Sequence, residues 1–286
     1  MEAPDHTIPG VPQSRPRPWL TGSLTVVGFA ANSLLARLAI GSAAIDPATY
    51  TTVRLASGAA LLIALSRGPA WGSSSWVGGA ALAVYAATFS WSYVRIGAAL
   101  GALVLFPTVK LALLAWGRAR GERPTTREIV GALLALAGLV LLTLPRASRA
   151  EPIGIGLMVA AGLAWAVYTV AGVRATGAVA ATTSNFARAT ILAAPLAVLS
   201  AANGHATPAG FGLAVVSGAI TSALAYVLWY ATVPHLTATQ MGLAQLSVPA
   251  IAMLGAVALL GEHLTPTMAV ASAFIFSGIA LALVRR

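Results

Sequence analysis

A few polar residues interrupt the long apolar runs of this chain, and their types indicate what chemistry is available there. Lys110 is the only lysine among 286 residues, and it stands three positions after Pro107 in an apolar run. A charged group inside a membrane is costly, so each such residue is a candidate for solute binding. The Lys110 ammonium group predicts attraction of a substrate carboxylate, with snorkelling of the side chain to the bilayer surface as the alternative.

Amides and hydroxyls in two other runs offer neutral hydrogen bonds to a polar solute. Asn32 and Ser33 stand near the middle of the first run, and Gln245 and Ser247 stand in the ninth. Because an amide side chain supplies both donors and acceptors, we predict substrate contact for Asn32, Gln245 and Ser247. Hydrogen bonding between helices is the alternative interpretation of the same residues.

Several aromatic residues lie far from the ends of their runs, where an interfacial belt does not explain them. Trp165 and Tyr168 are three positions apart and therefore share one helix face; Tyr85 is central in its own run. Aromatic rings of this kind contact apolar side chains or ammonium groups. We predict substrate contact for Trp165, Tyr168 and Tyr85, with helix packing or lipid contact as the alternative.

Two arginines and two prolines within the runs predict structural roles. Arg54 and Arg188 stand at matching depths in the second and seventh runs, where guanidinium bonds to carbonyls or helix ends would fix helix packing. Pro107 and Pro249 lie near the centres of the fourth and ninth runs. Since proline removes a backbone N–H, we predict a helix break at each, tolerated where the backbone lines a cavity.

The other titratable residues do not form an enzyme site. Carboxylates and histidines fall in the first residues, in loops or at the ends of runs, and the chain contains no cysteine. This pattern offers no acid pair, metal cluster or nucleophile with a base inside the bilayer. We therefore predict that the protein is not an enzyme and that it needs neither a cofactor nor a metal ion.

The composition requires a membrane environment. Hydrophobic residues make up 58% of the chain and charged residues only 8%, whereas soluble proteins carry about 25% charged residues. The formal net charge is +10. Because the basic residues fall mostly between apolar runs, they predict membrane orientation rather than binding of nucleic acid.

The apolar runs predict an all-α membrane protein with ten transmembrane helices, since each crossing needs about 20 residues. Residues 1–17 predict a disordered cytosolic tail. Ten arginines fall on the side of the two termini and four on the other, so both termini are expected in the cytosol. The predicted helices are approximately Pro18–Ile40, Pro47–Leu65, Ser75–Tyr93, Gly97–Trp116, Arg127–Leu144, Ile153–Val173, Thr182–Ala202, Ala209–Val233, Thr237–Leu260 and Pro266–Val284.

An internal repeat relates the two halves of the chain. Residues 95–125 align without a gap to residues 235–265, which places Gly121-Glu122 on Gly261-Glu262. Further upstream, a different shift places Arg54 on Arg188. Each half, 18–146 and 152–286, then has five helices, and an odd number requires the halves to be inverted. Inverted repeats are typical of secondary transporters, which bind substrate near the midplane.

The chain resembles EamA-type members of the drug/metabolite transporter superfamily. The segments ARGERPTTREIVGALLALAGLVLL and LLGEHLTPTMAVASAFIFSGIALAL are similar to the Gly-Glu signature and the following helix that close each half of such proteins. Asn32-Ser33 and Arg54 also match the family pattern, and the resemblance extends from Pro18 onward. The superfamily moves amino acids, sugars, nucleotide derivatives, cations and drugs, and this chain most resembles the bacterial inner-membrane amino-acid exporters.

These observations predict a secondary transporter in the bacterial inner membrane that exports amino acids or similar small metabolites by alternating access. A multidrug or organic-cation exporter of the same superfamily is the alternative. The mid-helix charges are cations rather than acids, which favours zwitterionic or anionic solutes. The expected partners are a small-molecule substrate and the lipid bilayer, and the expected assembly is a monomer or weak dimer.

Overall fold

The computed structural model describes residues 18–68, 71–146 and 151–283, so the predicted tail lies outside the described residues. Within these ranges the regular secondary structure is helical, the helices are joined by turns and loops, and one isolated bridge links Ile45 to Ala206. A π-helix, Ser217–Leu224, joins α8 to α9. The helices are α1 (Pro18–Ala39), α2 (Pro47–Ser66), α3 (Trp76–Ala119), α4 (Thr126–Thr143), α5 (Pro152–Val173), α6 (Ala178–Leu192), α7 (Ala194–Asn203), α8 (Pro208–Val216), α9 (Ala225–Thr232), α10 (Ala238–Leu246), α11 (Val248–Leu260) and α12 (Pro266–Leu283).

Seven of the described helical segments are long and apolar enough to cross a membrane. The pair α6 and α7 makes an eighth if it counts as one span bent by 48°. The helix α12 is a shorter apolar helix. Long apolar segments of this kind satisfy their backbone hydrogen bonds internally, as hydrocarbon requires. The protein is therefore a multi-pass, all-α membrane protein.

The chain reverses direction inside the 44-residue helix α3. Gly97 has φ 70° and ψ 177°, which is not helical and which glycine adopts without a Cβ clash. Before Gly97, Ser92 contacts Gly154 and Tyr85 contacts Trp165, so this part runs antiparallel to α5. After Gly97, Gly101 meets Met158 and Thr108 meets Gly162, so the second part runs parallel to α5. The segments predicted as the third and fourth crossings are thus antiparallel neighbours.

Glycines bring α4 and α12 into backbone contact. A Cβ atom added to Gly131 would lie 2.3 Å from the carbonyl oxygen of Gly278, and one added to Gly138 would lie 2.7 Å from that of Ala271. Because the residue numbers rise on one helix as they fall on the other, the helices are antiparallel. Small residues permit such close approach between membrane helices.

The side chain of Asp46 links the start of α2 to the loop before α8 through hydrogen bonds. Its carboxylate accepts hydrogen bonds from the backbone N–H groups of Ala48 (2.9 Å), Thr49 (3.0 Å) and His205 (2.8 Å). Burial raises the pKa of Asp46, but the hydrogen bonds from Thr49, His205 and Ala48 outweigh it, so the pKa lies below its ordinary value. The carboxylate is thus held in its charged form.

Replacing Asp46 with alanine should lower the free energy of unfolding at neutral pH by about 1 kcal/mol, as loss of an N-cap does. Since folding depresses this pKa, the stabilisation is complete above the unfolded-state pKa of about 4 and is lost as pH falls through the folded-state value. Thermal melts in detergent across this pH range measure the difference. The control is Glu151→Ala, because Glu151 also precedes a helix-starting proline but makes no side-chain cap bond. Equal melting temperatures for wild type and Asp46→Ala at neutral pH would contradict a stabilising N-cap role for Asp46.

Candidate functional site

A cavity of about 190 Å³ is lined by residues of α1, α3, α4, α5, α9, α10, α11 and α12. Four residues predicted to contact substrate line it: Asn32, Tyr85, Trp165 and Gln245. Pro249, at the start of α11, lines it as well. The cavity is concave and mostly apolar with a few polar groups, the usual character of a small-molecule site.

Trp165 is the centre of the aromatic wall of the cavity. Its ring centroid lies 4.8 Å from that of Tyr85, 4.9 Å from that of Tyr226 and 5.3 Å from that of Phe29. The rings meet edge-on or tilted, which is a favourable geometry for aromatic pairs. Phe29 and Tyr226 also line the cavity but were absent from the predicted site. The sequence signal for Phe29 is an aromatic residue within an apolar run, which lipid-facing residues share. Tyr226 also belongs to an i, i+3, i+4 aromatic cluster with Trp229 and Tyr230, which is consistent with a cavity wall as well as with packing or lipid contact.

The two amides of the cavity are held in different ways. The Asn32 Oδ1 atom accepts hydrogen bonds from Ser217 (2.6 Å), Thr221 (3.2 Å) and Ser222 (3.3 Å), all in the π-helix. The wider i to i+5 turn of a π-helix is frequent at functional sites. With its oxygen occupied, the Asn32 amide has its N–H groups left as donors for a solute.

Gln245 is fixed by hydrogen bonds on both sides of its amide. Its Oε1 atom accepts a hydrogen bond from the Trp165 indole, and its Nε2 atom donates to the carbonyl of Met241 at 3.1 Å. The amide therefore joins α10 to α5 and sets the orientation of the Trp165 ring.

An ion pair between Arg37 and Glu262 stands at one end of the cavity. Both side chains line the cavity, and 48% and 28% of their respective surfaces are exposed, so this end reaches solvent. These two are the only charged residues of the lining among the residues that the structure describes. The sequence prediction missed both because they lie at the end of a run and in a loop; the repeated Gly-Glu pair was the available signal for Glu262.

Lys110 does not line the cavity, and its environment matches neither predicted role. It is only 4% exposed, so its side chain does not reach the surface. Its Nζ atom donates to the carbonyl oxygen of Thr239 at 3.0 Å. The absent side chain of Gly242 leaves space for the lysine stem. Lys110 thus joins α3 to α10 because a backbone carbonyl is available to its ammonium group inside the protein.

The structure places Tyr168 and Ser247 outside the cavity lining. Tyr168 is fully buried and stacks behind Trp165, with ring centroids 5.3 Å apart. The Ser247 hydroxyl donates to the carbonyl of Ala244 at 2.6 Å, at the break between α10 and α11. This break lies beside Pro249, where one was predicted. Around Pro107, however, α3 continues with helical backbone angles, since a single missing N–H does not end a helix whose neighbours support it.

Arg54 and Arg188 are both buried among neutral partners. The Arg54 guanidinium donates to Ser222 Oγ at 2.9 Å and to the Tyr226 hydroxyl at 2.7 Å, behind the cavity wall. Arg188 donates to the carbonyl and hydroxyl of Ser74 and to the carbonyl of Trp71. Arg188 therefore ties α6 to the segment that precedes α3.

Comparison with known proteins identifies the family. Residues 152–284 match the EamA-like transporter family. An uncharacterized transporter of Archaeoglobus fulgidus is 30% identical over 230 residues, which cover 73% of this chain and 78% of that protein. The chain belongs to the EamA family. This family assignment makes it a membrane transporter of small molecules and not an enzyme.

Two further comparisons extend over nearly the whole EamA chain. An uncharacterized protein of Pseudomonas aeruginosa is 44% identical over 267 residues, covering 92% of this chain and 93% of that protein. The chain also matches a protein crystal structure with a TM-score of 0.78 at 24% sequence identity, and the match covers 94% of this chain and 98% of that chain. The crystal structure shares the fold. In the described parts of this EamA chain, no three His, Asp or Glu side chains come together as metal ligands.

Proposed function

We propose that the protein is a secondary transporter that exports amino acids or similar small metabolites across the bacterial inner membrane by alternating access. The cavity at the seam of the two halves carries this proposal. The first half supplies Asn32 and Tyr85, and the second supplies Trp165 and Gln245. Fixed amides beside an aromatic wall suit a solute that has a polar head and an apolar side chain.

The proposal includes ten crossings arranged as two inverted repeats, 18–146 and 152–286. Under the repeat alignment, Gly131 corresponds to Ala271 and Gly138 corresponds to Gly278. Replacing each residue by its counterpart in the other half therefore turns the contact of Gly131 with Gly278 into the contact of Ala271 with Gly138, and both contacts are present. Corresponding helices that lie antiparallel support a two-fold relation about an axis in the membrane plane.

A second pair of contacts supports the same relation. A Cβ atom added to Gly218 would lie 2.1 Å from the carbonyl oxygen of Arg54, and one added to Gly79 would lie 2.5 Å from Cβ of Arg188. Each half thus packs the helix of its buried arginine on a glycine of the other half. Such reciprocal packing is expected of two copies of one bundle.

The basic residues support an orientation with both termini in the cytosol. Arg118, Arg120, Arg123 and Arg127 cluster around the α3–α4 loop, and positive charge is retained on the cytosolic side. The loop that holds Glu122 is then cytosolic. The end of the cavity at Arg37 and Glu262 then opens to the outside.

Export of drugs or organic cations remains the second candidate because Glu262 places a carboxylate at the cavity. That carboxylate is already paired with Arg37, and among the described lining residues it is the only acid. A paired acid gives a cation less stabilisation than a free one, whereas a zwitterion matches both charges. The geometry therefore favours amino acids.

Proteoliposomes that contain the purified protein should show saturable uptake and counterflow of amino acids. Trp165→Ala should weaken exchange of solutes with large apolar side chains by about tenfold, because the lost indole surface contributes only to those solutes. Small amino acids should be affected less. The control is Trp19→Ala, since Trp19 is 56% exposed and does not line the cavity. Counterflow of quaternary ammonium compounds without any of amino acids would favour the second candidate, and flux that does not saturate would exclude a carrier.

A further inference from the structure

We propose that Glu122 and Glu262 act as reciprocal latches that set which end of the cavity is closed. The inference rests on the proposed alternating access. In this structure, Glu122 Oε2 accepts a hydrogen bond from the backbone N–H of Ala238 at 3.0 Å. Ala238 is the first residue of α10, so a carboxylate of the first half caps a helix of the second. Carboxylates are stabilised at this position because the first N–H groups of a helix lack partners within it.

The Glu122 end of the protein is closed around this contact. Ala238 is 1% exposed. The Lys110 ammonium group donates to the carbonyl of Thr239, the next residue of α10. Two polar contacts therefore join the second part of α3 and its following loop to the first turn of α10.

The corresponding contact at the other end is not made. The repeat alignment places Glu262 on Glu122, Ala98 on Ala238 and Gly97 on Thr237. Gly97 interrupts α3, so a helical segment begins at Ala98 as α10 begins at Ala238. Ala98 is exposed and lines the cavity together with Glu262. Glu262 instead pairs with Arg37.

One end of the cavity thus has the carboxylate-to-helix contact made, and the other end has the corresponding contact broken. When the halves exchange conformations, Glu262 leaves Arg37 and accepts the Ala98 N–H, which closes the Glu262 end. The Glu122 contact with Ala238 is then broken, and that end opens. Glu122 and Glu262 act in this switch as positioning residues, because each sets the balance of states through the helix N-terminus that it caps.

Substitution of the two acids should shift this balance in opposite directions. The wild type has no cysteine, so Ala102→Cys, on the cavity lining, reports access of an impermeant thiol reagent during solute exchange. Glu122→Ala should slow labelling from the Glu262 end, and Glu262→Ala should speed it, as the equilibrium shifts about tenfold on loss of a charged hydrogen bond. Glutamine at either position keeps an acceptor oxygen and should restore most of the wild-type rate. Glu151→Gln, which alters an exposed ion pair at the Glu262 end, should have no effect.

Cross-linking tests the contact that the structure does not contain. The double variant Glu122→Cys with Ala238→Cys should cross-link in the resting protein. The pair Glu262→Cys with Ala98→Cys should cross-link during exchange and stop counterflow. The proposed role of the two acids would be refuted if Glu122→Ala and Glu262→Ala shifted the labelling rate in the same direction. It would also be refuted if Glu262→Cys with Ala98→Cys did not cross-link in a protein that exchanges solute. Absence of counterflow in every variant and in the wild type would instead refute the proposed transport.

Discussion

Gly278→Leu is expected to prevent stable packing of α12 on α4. A Cβ atom at position 278 would lie 2.4 Å from the carbonyl oxygen of Gly131 and 2.7 Å from the backbone nitrogen of Ala135. No rotamer relieves a clash with backbone atoms, so the helices would have to separate. In lipid, helices associate through such close packing rather than through a hydrophobic driving force. We expect a loss of about 3 kcal/mol, at the upper end for overpacking.

Thermal melts and gel filtration in detergent measure this effect. The matched control is Gly156→Leu, because a Cβ atom at Gly156 would meet nothing within 4 Å. This variant should melt and elute as the wild type does. A Gly278→Leu protein with wild-type melting would show that the glycine crossing does not hold the two helices together.

Arg54→Met is expected to destabilise the protein and to abolish transport together. The Arg54 side chain is 1% exposed, and its guanidinium lies 5.6 Å from the ring centroid of Tyr85. Methionine fills similar volume but removes two buried hydrogen bonds from a charged donor, to Ser222 and Tyr226, at about 1.5 to 3 kcal/mol for each. Tyr85 and Tyr226 both line the cavity, so their displacement should also change its shape.

Melting temperature and amino-acid counterflow, measured on the same preparation, test both parts of this expectation. Arg54→Lys should recover stability only in part, because an ammonium group lacks the planar fork that reaches two hydroxyls. Arg118→Met, at an exposed arginine, should leave both readouts unchanged. Normal counterflow by a destabilised Arg54→Met protein would show that Arg54 stabilises the fold but does not maintain the shape of the cavity.

The helices were predictable because hydrocarbon leaves the backbone few alternatives. The predicted segment Pro47–Leu65 corresponds to Pro47–Ser66, and Arg127–Leu144 corresponds to Thr126–Thr143. The direction in which a side chain points was less predictable. In a run that is apolar on every side, no polar face indicates which residues meet the protein and which meet lipid.

Lys110 and Glu262 illustrate this limit. The type of Lys110 predicted a solute contact or a surface position, but the carbonyl of Thr239, 129 positions away, determines where its ammonium group lies. Glu262 was assigned to a loop, which is correct, yet that loop reaches the cavity. Such contacts depend on how distant helices cross, and periodicity along one segment contains no information on that crossing.

The hydrogen bond of Lys110 to Thr239 makes the two halves unequal. The residue that corresponds to Lys110 is Ala250, which has no ammonium group to contribute when the opposite end closes. The empty carrier should consequently have a resting bias toward the conformation seen here, with the Arg37 end open. Under the export, alternating access and orientation proposed above, the empty protein would face away from the cytosol, and its turnover would be governed by how often it returns inward to bind the next molecule.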